Sequence, residues 1–447
     1  MVLSFSFLII DHSVSKELFV SLSGDNNVSY DNNDINNPWK TINHGIYNVK
    51  AGDILYVRGG VYTPKYSMWL RSDYASKTYG GDPSEDMVAE SGTVEQPVLI
   101  KNYNNEEVVV DCINKDILIH LDNKSYWKWE GLRFINSNIV FNVGQNSISE
   151  NNQFIDIVIE RIAGGDNYGG ITLLNKNAEH TFIKRCKIVG PAKTGVHLNT
   201  AGIWLKSVNY VKILNCEIAD VPIGIYYKHA NLGIGSNNVD IEIAYNYIYN
   251  TGRNALQLNC NYANIHNNLI GQNNADTLVN EANGVPGGDF NNITNNTFFS
   301  GSLVLSGVTQ EGDSQPGAVS NTLLNNLFLK TAKKHEYSSN AHNTISDYNL
   351  YRVDSAVREN RIDYKLMDWR GHSNQDGHSQ DGTPEFIVES PSTISEFKLA
   401  SHSLGVKAGN DNKDIGADIG MVGITSIQAA ASMPIPSVPK GFVWEAP

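Results

Sequence analysis

The sequence predicts an all-β protein: a right-handed parallel β-helix solenoid with a short N-terminal capping helix and irregular C-terminal coils. Three observations favour this fold. A six-residue pattern recurs through the middle of the 447-residue chain, asparagine falls at one position in most copies, and the composition is not that of long helices. In a solenoid each strand pairs with the same strand of the next coil, about 4.8 Å away, so equivalent residues stack and share a pattern.

The recurring pattern is an apolar residue, two variable residues, a small polar residue, one variable residue and a second apolar residue. We identify it as WKWEGL, IVIERI, IKRCKI, ILNCEI, IAYNYI, IHNNLI, ITNNTF and LLNNLF, beginning at Trp127, Ile157, Ile183, Ile213, Ile243, Ile265, Ile293 and Leu323, with a weaker copy, SDYNLY, from Ser346. Successive copies lie about 22 to 30 residues apart, which fits a coil of about 22 residues with loop insertions.

The fourth positions of these copies are predicted to form one column in the stack. Asparagine side chains in such a column can hydrogen-bond to the asparagines above and below, as they do in stacked sheets. We therefore interpret the asparagines as a structural ladder and the two cysteines as core thiols of the same column. The predicted column is Glu130, Glu160, Cys186, Cys216, Asn246, Asn268, Asn296, Asn326 and Asn349.

The two ends of the chain differ from its middle. Trp39 to Val49 predicts a short amphipathic helix that caps the open end of the solenoid, and Asp53 to Val57 predicts a strand. The polar, aperiodic stretch 66–93 predicts a loop insertion. We expect a single β-helix domain over 17–425, preceded at 1–16 by a signal remnant or an N-terminal cap and followed at 426–447 by an extended Pro-rich tail.

Composition excludes several classes of function. The formal net charge of −13 argues against a nucleic-acid partner, and no apolar run is long enough to span a bilayer. Four cysteines without a C-x-x-C pair argue against a disulfide scaffold or a zinc motif. We identify no certain cofactor. Calcium remains open, because the acidic residues Asp276, Glu281 and Asp289 fall on one coil and its loop.

The ends and the coils together carry a resemblance to a known group. The N-terminal NPWKTI and KAGDILYVRGGVYT, the asparagine coils, and the C-terminal DGTPEF, FKLASHSLGVKAG and DIGA resemble secreted right-handed β-helix proteins of the pectate-lyase-like superfamily. The resemblance covers roughly 17–420 and implies carbohydrate handling, since the group includes polysaccharide lyases, glycoside hydrolases, uronan epimerases and phage depolymerases. The paired-Asp, Asp-Pro-His and calcium-binding Asp signatures of particular activities are not visible.

In such folds a long sugar polymer lies along one sheet, so we looked for outward-facing residues on neighbouring coils. Strand alternation points Ile203 and Leu205 inward and the residues between and after them outward. The same alternation in the next two coils predicts an outward strip that consists of Trp204, Lys206, Tyr226, Lys228, Gln257 and Asn259.

This strip predicts the chemistry of a lyase. Two lysines on adjacent coils repel each other, which favours the neutral form of one of them and makes Lys228 the first candidate for a general base. Arg253 can bind a carboxylate in bidentate fashion, and aromatic faces suit sugar rings. We predict a catalytic set of Lys228, Arg253, His229 and Tyr226 (as base or acid), and a substrate-binding set of Lys206, Trp204, Gln257, Asn259 and His197.

Together these features favour a polysaccharide lyase that cleaves an anionic, uronate-containing polysaccharide by β-elimination. Two alternatives stay open: a glycoside hydrolase that uses paired carboxylates, with Asp276 and either Glu281 or Asp289 as candidates, and a non-catalytic polysaccharide-binding β-helix. We expect a monomer that is secreted or extracellular and binds an anionic polysaccharide.

Overall fold

The computed structural model describes residues 15–70, 88–162, 165–190, 199–228, 240–258, 260–272, 283–286, 289–300, 303–306, 319–329, 335–337, 343–352, 356–359 and 362–424. Over these residues the chain is a parallel β-helix, which confirms the predicted fold. Successive coils form three parallel sheets around one continuous apolar core.

The first sheet has twelve parallel strands, one from each coil. They are β1 (Glu17–Val20), β2 (Ile54–Val57), β5 (Val98–Asn102), β7 (Trp127–Glu130), β9 (Gln153–Ile155), β12 (Phe182–Lys184), β15 (Lys212–Leu214), β18 (Glu242–Ala244), β21 (Asn264–His266), β24 (Asn292–Thr294), β27 (Thr322–Leu324) and β30 (Ile345–Asp347).

The second sheet follows the first around each coil. It contains β3 (Gly60–Tyr62), the first part of β6 (Val108–Leu121), the first part of β8 (Arg133–Val143), β10 (Val158–Glu160), β13 (Lys187–Val189), β16 (Glu217–Ala219), β19 (Tyr247–Thr251), β22 (Leu269–Gln272), β25 (Thr297–Phe298), β28 (Leu327–Phe328), β31 (Leu350–Tyr351) and β34 (Gln380–Asp381).

The third sheet completes each coil and carries the predicted functional strip. It contains β4 (Met68–Leu70), the second parts of β6 and β8, β11 (Gly169–Leu174), β14 (Ala201–Lys206), β17 (Ile223–Lys228), β20 (Asn254–Leu258), β23 (Asn283–Pro286), β26 (Leu303–Ser306), β29 (His335–Tyr337) and β32 (Val357–Glu359), with β33 (Ile362–Tyr364) antiparallel to β32.

The tight turn between the first and second sheets explains the repeated pattern. Asn215, Asn267, Asn295 and Asn325 each adopt a left-handed backbone there, with φ between 53° and 58°. Asparagine tolerates this conformation better than most residues because its short side chain can hydrogen-bond locally. The residue that follows each of these positions is buried in the core and directly precedes the next strand.

In the later coils the residue after this turn position is an asparagine, and these asparagines form the predicted ladder, which the structure confirms. The backbone N–H of Asn246 donates to Oδ1 of Asn268 at 2.9 Å, and the N–H of Asn268 donates to Oδ1 of Asn296 at 3.0 Å. The contacts continue through Asn326 to Asn349. Each of these side chains is fully buried, and their amide groups satisfy backbone atoms that the turn leaves unpaired.

The first two members of the predicted column were wrong. Trp129 pairs with Phe154, which in turn pairs with Ile183. This register places Leu132 and Ile157 beside Cys186, instead of Glu130 and Glu160. The early coils have apolar residues at this position, so aligning them by their polar residues shifted the pattern. Both glutamates lie toward the surface, where Glu160 accepts from Arg133 at 2.7 Å.

Cys186 and Cys216 behave as predicted for core thiols. Cys112, Cys186, Cys216 and Cys260 are all free and buried. Burial raises the pKa of the Cys186 thiol well above its ordinary value, and the neighbouring Cys216 adds to this effect. Such thiols carry little thiolate and are therefore poor nucleophiles and metal ligands.

A short helix covers the N-terminal end of the solenoid, as predicted, although it is shorter than the predicted span. Helix α1 (Ile42–Asn48) begins after Thr41, whose side chain accepts a hydrogen bond from the His44 N–H. Gly45 allows close packing, since a Cβ there would lie 2.6 Å from the Val20 side chain. The predicted strand after the helix is β2.

The predicted loop insertion at 66–93 is partly wrong, because β4 lies inside it. Met68 and Leu70 are fully buried and pair with Ile119 and Leu121 of the third sheet. The alternation over three residues is too short to distinguish from a loop by pattern alone. Residues 71–87 lie outside the described part of the chain.

The C-terminal region is irregular, as predicted, apart from helix α2 (Leu366–Ser373). Its residues 394–424, here called the C-terminal segment, run back along the second sheet. Backbone N–H groups of Gly416 and Gly423 donate to carbonyls of Asn325 and Tyr245, which belong to different coils. The predicted signal remnant and the Pro-rich tail lie almost entirely outside the described residues. No helix in the described ranges is long and apolar enough to cross a membrane.

Candidate functional site

The third sheet has the predicted strand alternation. Ile203 and Leu205 are buried in the main core, whereas Trp204 points away from it. Strand pairing places Trp204 beside Tyr226 and Lys206 beside Lys228. On the next coil Gln257 lies beside Tyr226. The predicted register is therefore confirmed, and with it the adjacency of the two lysines on the outer face.

The two aromatic rings of the strip are not open to solvent, which corrects the predicted sugar-stacking face. Trp204 is 5% exposed and Tyr226 is 7% exposed. With Ala201 and Ile223 they form a small apolar cluster outside the main core. The indole N–H of Trp204 has no hydrogen-bond partner among the described residues. These rings exclude water from the surface around them, and they expose little of their flat faces to a sugar.

The rings of Trp204 and Tyr226 are covered partly by the segments that precede the strands of the third sheet. The Gly165 N–H donates to Oγ1 of Thr200 at 3.1 Å, and the Ala201 N–H donates to the Tyr168 carbonyl at 2.8 Å. Gly169 packs directly under the tryptophan, since a Cβ there would lie 2.8 Å from the Trp204 Cβ. This close packing is one reason why a glycine occupies the start of β11.

These segments also bring three polar side chains to the cationic residues. Nζ of Lys228 donates to Oδ1 of Asn167 at 3.4 Å, and a guanidinium N–H of Arg253 donates to Oδ1 of Asn199 at 3.1 Å. The amide of Asn199 donates in turn to Oδ1 of Asp166 at 2.8 Å. We call this group the tyrosine cluster; it consists of Asp166, Asn167, Asn199, Tyr226, Lys228 and Arg253.

Electrostatics favour one of the two roles predicted for Tyr226. Burial raises the pKa of its hydroxyl, the Asp166 carboxylate raises it further, and the Arg253 guanidinium opposes both. The hydroxyl therefore keeps its proton at neutral pH and can act as an acid. With Lys206 alongside, three cationic side chains face one carboxylate, so this surface suits an anionic ligand despite the negative net charge of the whole chain.

Sequence reasoning missed Asp166, Asn167 and Asn199. A signal was present, because pairing of Gly169 with Ala201 puts Asn167 and Asn199 at the same position on adjacent coils. Both precede their strand by two residues, in the stretches GGDNYGG and LNTAG. What the sequence does not show is that these residues fold over the sheet instead of pointing away from it.

Five of the other predicted residues, His197, His229, Asn259, Asp276 and Glu281, lie outside the described residues. Gln257 accepts a hydrogen bond from the Asn254 amide at 3.2 Å. Asp289 is engaged in a turn, where its Oδ1 accepts from the Val319 N–H at 2.8 Å.

No group of three or more potential metal-ligating side chains occurs within the described ranges. Two clefts of about 630 and 640 Å³ lie far from the tyrosine cluster, beside the C-terminal segment. The first is lined by turn residues such as Asn267 and Asn295 and by Lys407 and Asp414. The third sheet holds the residues that were predicted to form the site, so the candidate site is described there and not in these clefts.

Comparisons with known proteins agree with the fold. No family model matches the chain, and no curated protein matches it. Among solved structures it is similar to the pectate lyase Pel9A, with 13% identity, a TM-score of 0.58 and coverage of 90% of this chain and 96% of that one.

Two further structures show the same architecture. A mutant of the PL6 family alginate lyase AlyGC matches with 11% identity and a TM-score of 0.52, over 90% of this chain and 59% of the longer lyase. The GH136 lacto-N-biosidase from Eubacterium ramulus matches with 12% identity and a TM-score of 0.52, over 82% of this chain and 67% of that one. Fold alone does not imply function. The chain therefore shares its parallel β-helix architecture with these three structures.

Proposed function

We propose that the protein is a polysaccharide lyase that cleaves an anionic, uronate-containing polymer by β-elimination at the tyrosine cluster. The observation that carries this proposal is the convergence of Lys206, Lys228 and Arg253 around a buried, protonated Tyr226. A lyase needs a base, a cation that neutralises the uronate carboxylate, and a proton for the leaving oxygen. The cluster contains a candidate for each of these roles.

The proposed reaction assigns one step to each group. As the base, the amine of Lys228 takes the proton from C5 of the uronate in its unprotonated form, and the electron pair of the broken C–H bond forms the C4–C5 double bond as the C4–O bond breaks. Arg253 binds the carboxylate and stabilises the negative charge that spreads onto it. Tyr226 gives its proton to the departing sugar oxygen. The hydrogen bond from Lys228 to Asn167 holds the amine over the sheet.

A glycoside hydrolase is a weaker proposal for this surface. Hydrolysis of the usual kind needs two carboxyl groups that flank the cleaved bond. Asp166 is the one carboxylate of the tyrosine cluster, and it is hydrogen-bonded to Asn199. A binding role without turnover would require neither Lys228 nor Tyr226 as a proton-transfer group. The experiments below separate the three functions.

The first experiment is a polymer panel. The full chain is incubated with pectate, alginate, glycosaminoglycans and ulvan-like polymers, with and without a chelator, and absorbance near 230 nm is followed. We expect absorbance to rise with at least one polymer as unsaturated ends form. New reducing ends without that absorbance would identify a hydrolase, and binding without either signal would identify a non-catalytic β-helix.

The second experiment tests the roles of the residues. Lys228→Ala and Tyr226→Phe should each lower kcat by about 10²- to 10⁴-fold, the usual contribution of a positioned acid or base. Lys212→Ala is the matched control, because Lys212 lies on the first sheet and pairs with Glu242 at 3.3 Å. Unchanged elimination by Lys228→Ala would remove Lys228 as the base.

We further infer that the protein acts outside the cell as a monomer. Uronate polymers are too large and too highly charged to cross a membrane unaided, so an enzyme that degrades them must meet them outside. Light scattering of the purified full chain tests the predicted monomer directly.

A further inference from the structure

A row of aromatic side chains lies along the turn that leads from the third sheet into the first. His180, Tyr210, Tyr262 and Phe290 occupy the same position on different coils, and all have left-handed backbones with φ between 55° and 59°. Tyr210, Tyr262 and Phe290 are 40%, 44% and 46% exposed. Bulky aromatic residues rarely adopt this conformation, so their recurrence at one exposed position calls for a physical reason.

The row is divided into two stacked pairs. The His180 and Tyr210 rings stack with centroids 4.7 Å apart and planes within 1°. The Tyr262 and Phe290 rings stack at 5.1 Å and 12°. Both centroid distances are close to the spacing of about 4.8 Å between neighbouring coils of the solenoid. The stacking covers one face of each tyrosine, and the large exposed fractions leave surface available on the other.

One coil separates the two pairs, and it places Asp240 between them. Lys212 pairs with Glu242, and Glu242 pairs with Asn264. Two residues before each of these lie Tyr210, Asp240 and Tyr262. The open faces of the two tyrosines therefore look toward each other across the coil of Asp240, whose own side chain is exposed. We call this space the tyrosine slot; it is formed by Tyr210, Asp240 and Tyr262.

The width of the tyrosine slot matches one sugar ring. The two tyrosines are separated by two coil spacings, so their ring centroids lie about 10 Å apart. A sugar ring midway between them would lie about 5 Å from each, within the usual range for stacked rings. A flat aromatic ring would fill this gap less well than a pyranose chair, which is thicker. The apolar C–H faces of the sugar would contact the tyrosines, and its hydroxyl groups would reach the carboxylate.

We propose that the tyrosine slot is a binding site for a neutral saccharide ring. The carboxylate of Asp240 accepts hydrogen bonds from sugar hydroxyls, and charged acceptors make the stronger bonds of this kind. The same carboxylate repels a uronate. The slot thus differs in charge from the cationic tyrosine cluster on the third sheet, and it does not depend on the reaction proposed there.

The test is affinity electrophoresis of the full chain in native gels that contain soluble galactan, arabinan, xylan or mannan. The net charge of −13 carries the protein through the gel, and a neutral polymer adds no charge of its own. We expect retardation by at least one polymer. Tyr210→Asn and Tyr262→Asn should each weaken that binding at least tenfold, and asparagine keeps the left-handed turn intact. Asp240→Ala should weaken it roughly tenfold, by loss of charged hydrogen bonds.

Two controls accompany these variants. Phe290→Asn removes the outer ring of its pair and should leave retardation within about twofold of the wild type, because that ring does not line the slot. Lys228→Ala should bind the neutral polymer like the wild type even if lyase activity is lost. The proposal is overturned if no neutral gel retards the wild type, or if folded Tyr210→Asn and Tyr262→Asn proteins are retarded as strongly as the wild type.

Discussion

At the residue scale, the candidate site depends on how Arg253 is held. Its guanidinium donates to Asn199, and Asn199 donates to Asp166. This chain of hydrogen bonds directs a long, flexible side chain toward Tyr226, whose pKa responds to both charged neighbours. A rigid planar cation in this position can meet both oxygens of a uronate carboxylate, which an ammonium group cannot do.

Replacing Arg253 with lysine tests this geometry. Arg253→Lys keeps the charge but removes the bidentate fork, so we expect kcat/KM for the uronate polymer to fall roughly 10- to 100-fold, the equivalent of one charged hydrogen bond. Arg185→Lys is the control, because Arg185 pairs with Asp156 at 2.7 Å in the turn between the first and second sheets. Equal rates for Arg253→Lys and the wild type would contradict the proposed carboxylate clamp.

At the scale of the element, the asparagine ladder sets the tight turn between the first and second sheets. Each side chain accepts from the backbone of the preceding coil and donates to a carbonyl, as Asn296 does to Ile265 at 2.8 Å. The ladder therefore links neighbouring coils as well as closing each turn. Its continuation by Ser379, whose Oγ accepts from the Asn349 N–H at 2.9 Å, shows that acceptor geometry matters more than residue type.

We predict that Asn296→Ala destabilises the protein by about 1–3 kcal/mol, because the Asn268 N–H and the Ile265 carbonyl lose their partner in a buried place. Asn292→Ala is the matched control, since Asn292 belongs to the same coil but its side chain is exposed on β24. Urea unfolding of both variants measures the difference. Equal midpoints would mean that the buried groups find other partners.

At the scale of the whole molecule, the C-terminal segment extends the core beyond the three sheets. Phe397, Leu399 and Ile415 pack on Leu327 and Leu350 of the second sheet and form a second apolar cluster. Because its hydrogen bonds reach coils as far apart as those of Tyr245 and Asn325, this segment connects coils that do not touch each other.

Loss of a central apolar side chain should loosen this segment. Phe397 is 6% exposed and its ring lies 5.0 Å from that of Phe299. We expect Phe397→Ala to cost about 3 kcal/mol and to make the C-terminal segment an early site of proteolysis. Met421→Ala, at a 49% exposed position of the same segment, should change neither property. Unaltered proteolysis of Phe397→Ala would show that the packing of the segment does not depend on this ring.

Buried tyrosines predict a loss of stability at alkaline pH. Burial raises the pKa of Tyr62 and of Tyr247 to about 12, compared with about 10 in an unfolded chain. A raised folded-state pKa stabilises the protein below pH 10, and this contribution is lost as the pH rises from 10 toward 12. Absorbance at 295 nm and the thermal midpoint should therefore show late-titrating tyrosines together with a falling Tm. Tyr62→Phe should reduce the fall, and titration of every tyrosine near pH 10 in the folded protein would contradict this account.

The sequence by itself determined the architecture. A solenoid stacks equivalent residues of successive coils, so the length of its coil appears as a repeat period in the sequence. That period predicted the column from Cys186 to Asn349. Together with strand alternation, it also predicted that Lys206 and Lys228 lie side by side on the outer face. The pattern failed for Glu130 and Glu160, where apolar residues replace the polar marker, and for β4, which is too short to show alternation.

Only the tertiary structure decided what covers each face. Alternation separates the core from the outside, but it does not show whether an outward side chain meets solvent or another segment. Trp204 and Tyr226 point outward and are nevertheless buried, and Asp166 joins them from a segment whose path the sequence does not reveal. These contacts depend on how irregular loops fold over the sheets, and loops have no period from which their positions could be derived.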